Sequence, residues 1–542
     1  MGIDHFMKNL LSLLALLFCI DTSNARDYYV RNPTMDVERY RYFIELNDQN
    51  SQIKGRAVIS IRALTAISEM SLDLAKLDKS GKGMLVKQVL MGGRTLVSVH
   101  DGERLTIQLP ERVDANSLID LEIIYQGEPA SGLHISNNKF GDRVFFADNW
   151  PDQGHQWLPS IDHPSDKAAV EFIVTAPDHY AVVANGIKVE EKNLEGKLKV
   201  SHWREDVPIA VKVMVIGVAR FAIQESGKLK DVPITSWVFP QNKEQGFHDY
   251  GVAIKALDYF QKNIGPYPYK KLANVQSKTR FGGLENANTI FYFENSVTGK
   301  GEQEALIAHE IAHQWFGNST TENDWHHVWL SEGFATYFTS LYIEHTFGRE
   351  LFLKQLLSNR EKVVRYQQKV SRPIIDTTVR DPKHVLNPNS YEKAAWVLHM
   401  LRQALGDEVF WRGIRDYYAK FDGKNVMTQD FQNVMEQVSG QNLSSFFQQW
   451  LYREGHPKLD VRWHFDESSS SLKLHIEQSQ NAAPFDFPLE LAVLGDGTQF
   501  ELHTIRVNSQ SSDVVLPLQR APKAISLDPM VKLLFEGKVE KK

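Results

Sequence analysis

A multidomain α+β fold is predicted by the length of the chain and by two changes of hydrophobic period along it. At 542 residues the chain is too long for one core and implies about three or four domains. Strand-like alternation fills residues 26–221, helical periodicity takes over at 222–450, and short strands return at 451–542. Hydrophobic residues make up 42% and charged residues 24%, the ordinary balance of a soluble globular protein. A formal net charge of −6 gives no electrostatic case for nucleic acid or an acidic membrane surface as partner. No internal repeat is apparent, and the serine run at 468–471 reads as a short loop.

Residues 1–25 read as a targeting signal. Lys8 precedes the apolar run Leu10–Ile20, and Ser23-Asn24-Ala25 puts small residues at the −3 and −1 positions of a cleavage site. The run is too short to span a bilayer as a helix. Met7 begins a tidier signal than Met1. The only cysteine, Cys19, lies in this segment, but the bulky Phe18 before it ranks a lipoprotein second to soluble export. The expected location is secreted or periplasmic, and a mature chain without cysteine owes nothing to disulfides.

From Tyr29 to Phe221 the signals are strands. Ala57, Ile59 and Ile61 alternate with other residues, as do Leu105, Ile107 and Leu109. Leu118–Tyr125, Val170–Thr175, Tyr180–Ala184 and Ile209–Val218 continue the pattern. Trp150 and Trp157, in the middle of this region, are expected to pack in its core. Helical periodicity begins at Phe247, where Tyr250, Ile254, Leu257, Tyr259 and Phe260 form a stripe ended by Gly265-Pro266. Further helices are expected at Arg349–Gln368, Tyr391–Leu405, Asp407–Phe421 and Thr428–Val438. Regular short strands at Leu459–Phe465, Leu472–Gln478, Leu489–Leu494, Gln499–Val507 and Asp513–Leu516 suggest a small β-sandwich.

The chemistry gathers in the helical block. Ala305–Gly317 contains His309-Glu310-x-x-His313, with no proline or glycine before Gly317 to break a helix. Histidines four apart share one helix face and can hold a cation between them, and zinc accepts nitrogen at about 2.0–2.1 Å. Glu310 projects beside the pair, where a carboxylate can take a proton from the attacking water. A second helix, Val328–Phe338, follows a polar turn and brings Glu332, with 18 residues between it and His313. A helix, a turn and an antiparallel helix would return that carboxylate to the imidazoles. Three protein ligands and an open position are the arrangement of a catalytic rather than a structural zinc.

This pattern resembles the zinc site of the M1 aminopeptidases. Gly282-Gly283-Leu284-Glu285-Asn286 is similar to that family's G-x-M-E-N exopeptidase motif, with leucine in place of methionine. The resemblance runs from about residue 36 to the C-terminus. It implies a saddle-shaped N-terminal β domain, a thermolysin-like catalytic domain at 222–450 and a C-terminal β-sandwich without the long helical domain of many members. It implies one zinc per chain on His309, His313 and Glu332, with Glu310 as general base. Tyr391, in Tyr391-Glu-Lys-Ala-Ala-Trp396, matches the family's catalytic tyrosine and is the expected oxyanion donor. Glu285 is expected to pair with the α-ammonium of a peptide, while Gly282 and Gly283, lacking Cβ atoms, let the backbone approach the substrate. The implied partners are peptides with a free N-terminus.

The chain also departs from the family. A second amine-binding Gln or Glu is often supplied by the N-terminal domain, and Trp150 stands at the matching position, with Asp148 nearby. Either the amine is held differently or Asp148 substitutes. Lys383 and Leu386 stand where the lipid-epoxide-opening member has an aspartate and a tyrosine, which argues against that activity. His326 and His327 are read as supporting or structural. Two alternatives to an aminopeptidase remain: a zinc endopeptidase, which would not need Glu285, and a non-catalytic peptide-binding scaffold, against which the intact ligand set speaks.

Overall fold

The computed structural model describes residues 27–495 and 500–542, so the targeting-signal expectation lies outside the described residues. Residues 35–219 build three sheets. The largest has eight strands, in the order Ile187–Leu194, Leu198–Ala210, Lys167–Pro177, Met35–Glu45, Ile53–Ala63, Leu118–Glu128, Gly83–Met91 and Arg94–Thr95. Met35–Glu45 pairs parallel with Lys167–Pro177 (Tyr40 opposite Val170) and antiparallel with Ile53–Ala63 (Tyr40 opposite Ile59). The period-2 pattern explains the register: Tyr40, Tyr42 and Ile44, with Ala57, Ile59 and Ile61, are fully buried on one face.

One strand expectation fails. Ile209–Val218 is not continuous: a strand ends at Ala210, a tight turn covers Val211–Val213, and Ile216–Ala219 starts another sheet. Two asparagine side chains take over the backbone bonding there. Asn149 Nδ2 donates to the Val211 and Met214 carbonyls at 3.1 and 2.7 Å, and Asn185 Nδ2 donates to the Val213 carbonyl at 2.9 Å. Those asparagines are distant in sequence, so hydrophobicity alone carries no sign of the break.

The central region contains a five-stranded sheet that helical periodicity did not reveal. Its order is Ala222–Leu229, Val232–Val238, Leu272–Ser277, Thr289–Phe293 and Gly283–Leu284. Leu272–Ser277 is buried at every position, its polar Asn274 and Gln276 included, so it lacks the polar-out face of a half-exposed strand. Gly283–Leu284 is the edge strand, antiparallel to Phe291 and Tyr292. Around this sheet stand nine helices among the described residues. They are α1 (Lys243–Tyr250), α2 (Ala253–Asn263), α3 (Glu304–Ala312), α4 (Trp329–Phe347), α5 (Arg349–Gln367), α6 (Ala394–Leu405), α7 (Asp407–Phe421), α8 (Thr428–Ser439) and α9 (Ser444–Leu451). α4 is the central one: every residue from Trp329 to Ile343 except Thr336 is buried, which suits a helix apolar nearly all round. No described helix is long and apolar enough to cross a membrane.

The C-terminal region forms two sheets, of four and three strands, from Lys458 to Lys541. It is tied to the helices by Arg360 of α5, which donates to Asp528 Oδ2 at 2.5 Å and to the Leu533 carbonyl at 2.6 Å. His399 of α6 adds a bond to the Val531 carbonyl at 2.9 Å.

Candidate metal centre and active site

α3 ends one residue before His313, which caps it in helical conformation, so His309 and His313 face the same way across the last turn. Gly317, at φ +114°, then turns the chain back; a Cβ there would strike Ser331 Oγ. This sharp return lets α4 start against α3 and places Glu332 in the first turn of α4, where the helix dipole favours a carboxylate. A second close approach, Gly333 against Ala394 Cβ, seats the start of α6 on α4. Tyr391 sits in the π-helical turn Asn389–Lys393 that leads into α6.

His309 Nε2 and His313 Nε2 stand 3.1 Å apart, and Glu332 Oε2 lies 3.6 Å and 3.2 Å from them. Tetrahedral ligands at about 2.0–2.1 Å from a zinc ion are separated by about 3.3 Å, so these three donor atoms fit such an ion. His313 Nδ1 lies 3.1 Å from the Phe316 carbonyl, and a proton donated there leaves Nε2 free to ligate. His326 and His327 take no part: His326 Nε2 bonds the Val379 carbonyl at 3.0 Å and His327 Nδ1 bonds Thr428 Oγ1 at 2.8 Å.

Burial and charge act in opposite directions on the ligands. Burial would hold Glu332 neutral, but His313 and His309 outweigh it and keep the carboxyl below its usual range. Burial likewise disfavours a charged His313, yet Glu332 lifts it to about 9. His309 is held below its ordinary value by burial, against the pull of Glu332. Glu310 is pushed well above the usual carboxyl range by burial and by the Glu285 and Glu332 carboxylates, with His313 opposing. Tyr391 is raised by burial and by Glu332, Glu285 and Glu310. In each case the perturbing charged groups belong to the same small site.

A cavity of about 230 Å³ opens over this centre. His309, Glu310, His313, Glu332, Glu285 and Tyr391 all line it. Gly282 and Gly283 form one side, and Trp150, Phe281, Leu306 and Leu386 supply apolar wall. The structure therefore brings together eight of the nine residues singled out from the sequence. The ninth, Asn286, is buried outside the cavity lining, and its Nδ2 has no hydrogen-bond partner among the described residues. The two glycines differ: a Cβ on Gly282 would come no closer than 3.6 Å to Leu306, whereas one on Gly283 would collide with Glu310.

Sequence reasoning missed the part played by Trp150. Trp157 is a core residue, fully buried and bonded to Asn149 Oδ1 at 2.9 Å. Trp150 instead reaches the cavity, and its Nε1 donates to Glu285 Oε1 at 2.6 Å. Asp148, the alternative amine ligand, points elsewhere. It is outside the cavity lining, with Oδ2 3.3 Å from His134 Nε2 and 3.5 Å from Thr279 Oγ1. The signal lay only in position: a donor-only side chain where an acceptor is usual.

A β-rich N-terminal region, a helical domain around an open three-ligand centre, and a glutamate just after an edge strand beside it match the site pattern of the H-E-x-x-H metallopeptidases. The family model described as "Peptidase M1 N-terminal domain" matches residues 36–211, and that described as "Peptidase family M1 domain" matches residues 248–450. The chain belongs to peptidase family M1. It is 26% identical over 465 residues to a leucyl aminopeptidase of Saccharolobus solfataricus, covering 82% of this chain and 56% of that protein. It is 28% identical over 338 residues to human glutamyl aminopeptidase, covering 59% of this chain and 35% of that one. The chain thus spans about half the length, or less, of these curated relatives. Its fold matches the crystal structure of an M1 zinc metallopeptidase from Deinococcus radiodurans with a TM-score of 0.68 at 22% identity, over 78% of this chain and 95% of that one.

Proposed function

We propose that the protein is a zinc-dependent aminopeptidase that releases N-terminal residues from peptides. The observation that carries this reading is Glu285. Its carboxylate lies in the same cavity as the three-ligand centre, and an oxygen of Glu285, one of Glu310 and a nitrogen of His313 all fall within 4.8 Å of one another. A buried carboxylate so close to the reacting bond compensates the lost hydration of an α-ammonium and fixes the chain end there. An endopeptidase has no use for such a group. The full ligand set is likewise superfluous in a binding scaffold.

His309, His313 and Glu332 would hold the zinc, which supplies Lewis acidity that makes water a nucleophile near neutral pH and polarises the scissile carbonyl. Glu310 takes the proton of the attacking water and passes it to the leaving amine. Its raised pKa, set by burial and by Glu285 and Glu332, keeps it basic enough to hold that proton between the two transfers. Tyr391 stays protonated through its raised pKa and donates to the oxyanion that develops on the carbonyl. The edge strand Gly283–Leu284 presents backbone to the substrate, as an exposed strand edge does for extended peptides. Export to the periplasm or exterior is part of the proposal; it is supported by Lys8, the run Leu10–Ile20 and Ser23-Asn24-Ala25.

A panel of aminoacyl chromogenic amides, assayed alongside metal analysis, tests the reading. It expects hydrolysis, one zinc per chain, and joint loss and recovery of metal and activity on chelation and zinc return. Full activity in protein shown to be metal-free would contradict it.

A further inference from the structure

We infer that Trp150 is a positioning residue for the amine end of the substrate: its indole N–H holds Glu285 in the orientation that receives the α-ammonium. The inference rests on the aminopeptidase reading and adds a residue that the reading does not supply.

An indole nitrogen donates and cannot accept. Trp150 therefore offers no lone pair to an ammonium, and its only polar atom is spent on Glu285 Oε1 at 2.6 Å. Both residues are 5% exposed, so the bond is shielded from water and an unmet indole N–H would be costly. What remains for the substrate is the outer part of a carboxylate whose other side is fixed.

The indole is itself immobilised. Trp325 packs on it edge-to-face at 5.3 Å between ring centroids, and Lys212 Nζ lies 5.7 Å from its centre and 5.5 Å from that of Trp325. Lys212 is anchored by the buried Glu322 carboxylate at 2.5 Å. The backbone of Glu285 is pinned from the other direction, its carbonyl accepting from Gln314 Nε2 at 2.9 Å and Asn318 Nδ2 at 2.5 Å. Glu285 is thus gripped at both ends, its backbone by the segment after α3 and its carboxylate by the N-terminal region. A glutamate left free would lose about three rotatable bonds of freedom on binding each substrate; the grip removes most of that cost beforehand. Single-carboxylate recognition is made effective by rigidity rather than by a second acceptor.

The test uses zinc-loaded enzyme and two competitive inhibitors, leucine hydroxamate and 4-methylpentanohydroxamate, which differ only in the α-amine. In the wild type the amine is expected to tighten binding by roughly 10- to 100-fold, the scale of a charge-assisted hydrogen bond. In Trp150→Phe that gain should fall to a few-fold, with the affinity of the amine-free inhibitor and the zinc content little changed and the protein, though less stable, still folded at the assay temperature. In Glu285→Ala the gain should vanish, and adding Trp150→Phe should take away nothing more. A wild-type gain that persists in Trp150→Phe would overturn the inference and leave the aminopeptidase reading standing. Equal weakening of both inhibitors would also overturn it, since that marks a merely structural role. No gain in the wild type would remove the aminopeptidase reading and the inference together. A measurement independent of any change at Trp150 uses indole-¹⁵N-labelled enzyme. Among the signals of its 11 tryptophans, one should move upfield in Glu285→Ala, and the same one should respond to leucine hydroxamate but not to its amine-free analogue. An indole spectrum unmoved by Glu285→Ala would refute the bond.

Discussion

Gly283→Ala adds a single methyl group, and the structure says where it would go. The new Cβ would lie 2.5 Å from Cδ and 2.6 Å from Cγ of Glu310, and closer still to Oε1. Carbon atoms rest at about 3.5–4.0 Å, so the two groups must separate by about 1 Å. The edge strand is tied to Tyr292 and Phe291, and Glu310 is buried on α3, so neither can yield without cost. A displacement of about 1 Å at a catalytic group costs roughly 10²-fold in rate. We therefore expect kcat to fall by about 10²-fold in Gly283→Ala, with zinc content preserved because none of the three ligands is struck. Gly282→Ala, whose Cβ meets only Leu306 at 3.6 Å, should lose no more than a few-fold. Steady-state kinetics on an aminoacyl amide, with metal analysis and a thermal melt, makes the comparison. A folded, zinc-loaded Gly283→Ala enzyme with wild-type kcat would refute the placement of Glu310 against the edge strand.

Three further outcomes are expected, two at the metal centre and one at a separate buried histidine. Glu310→Gln should retain zinc and substrate affinity but lose several orders of magnitude in kcat; retained turnover would deny it the role of base. Tyr391→Phe should lower kcat by roughly 10²–10³-fold with little change in KM, and an unchanged kcat would assign Tyr391 to packing. His155, 2.6 Å from Asp162 and 3.4 Å from Glu103, is pushed up to about 10: burial opposes the charge but the two carboxylates prevail. Because the folded value exceeds the unfolded one of about 6.5, its stabilisation is complete below that pH and is lost as pH rises toward 10. His155→Gln should then be less stable than wild type by about 1.5–3 kcal/mol at pH 6, and the gap should close by pH 10 in urea melts. A gap independent of pH would contradict the charged pair.

The metal centre was legible because its constraints are local. Two histidines on one helical turn and a glutamate on the next helix declare themselves by spacing, and α5, α7 and α8 appear within a residue of where periodicity puts them. What escaped was set by distant partners. Leu272–Ser277 is buried on both faces although it carries Asn274 and Gln276, whose partners are the Tyr292 hydroxyl and the backbone of Phe239 and Glu294, residues its own short stretch does not reveal. The helix expected from Tyr391 begins as a π-helical turn, and α6 proper starts at Ala394. The break at Val211–Val213 depends on asparagines 62 and 28 residues away. Trp150 and Glu285, 135 residues apart, meet only in the folded chain, and a buried tryptophan is ordinarily core. Nothing in the sequence separates Gly282 from Gly283 either; only the direction of a missing Cβ does.

Glu285 is the residue proposed to make this protein read a free chain end. The most direct measurement is mass spectrometry of matched digests of one peptide with a free and with an acetylated N-terminus. The account predicts stepwise loss of single residues from the free peptide and no cleavage of the acetylated one, with Glu285→Ala raising KM for the free peptide and narrowing the difference. Internal cleavage of the acetylated peptide at a rate comparable to the free one would contradict it and make the protein an endopeptidase.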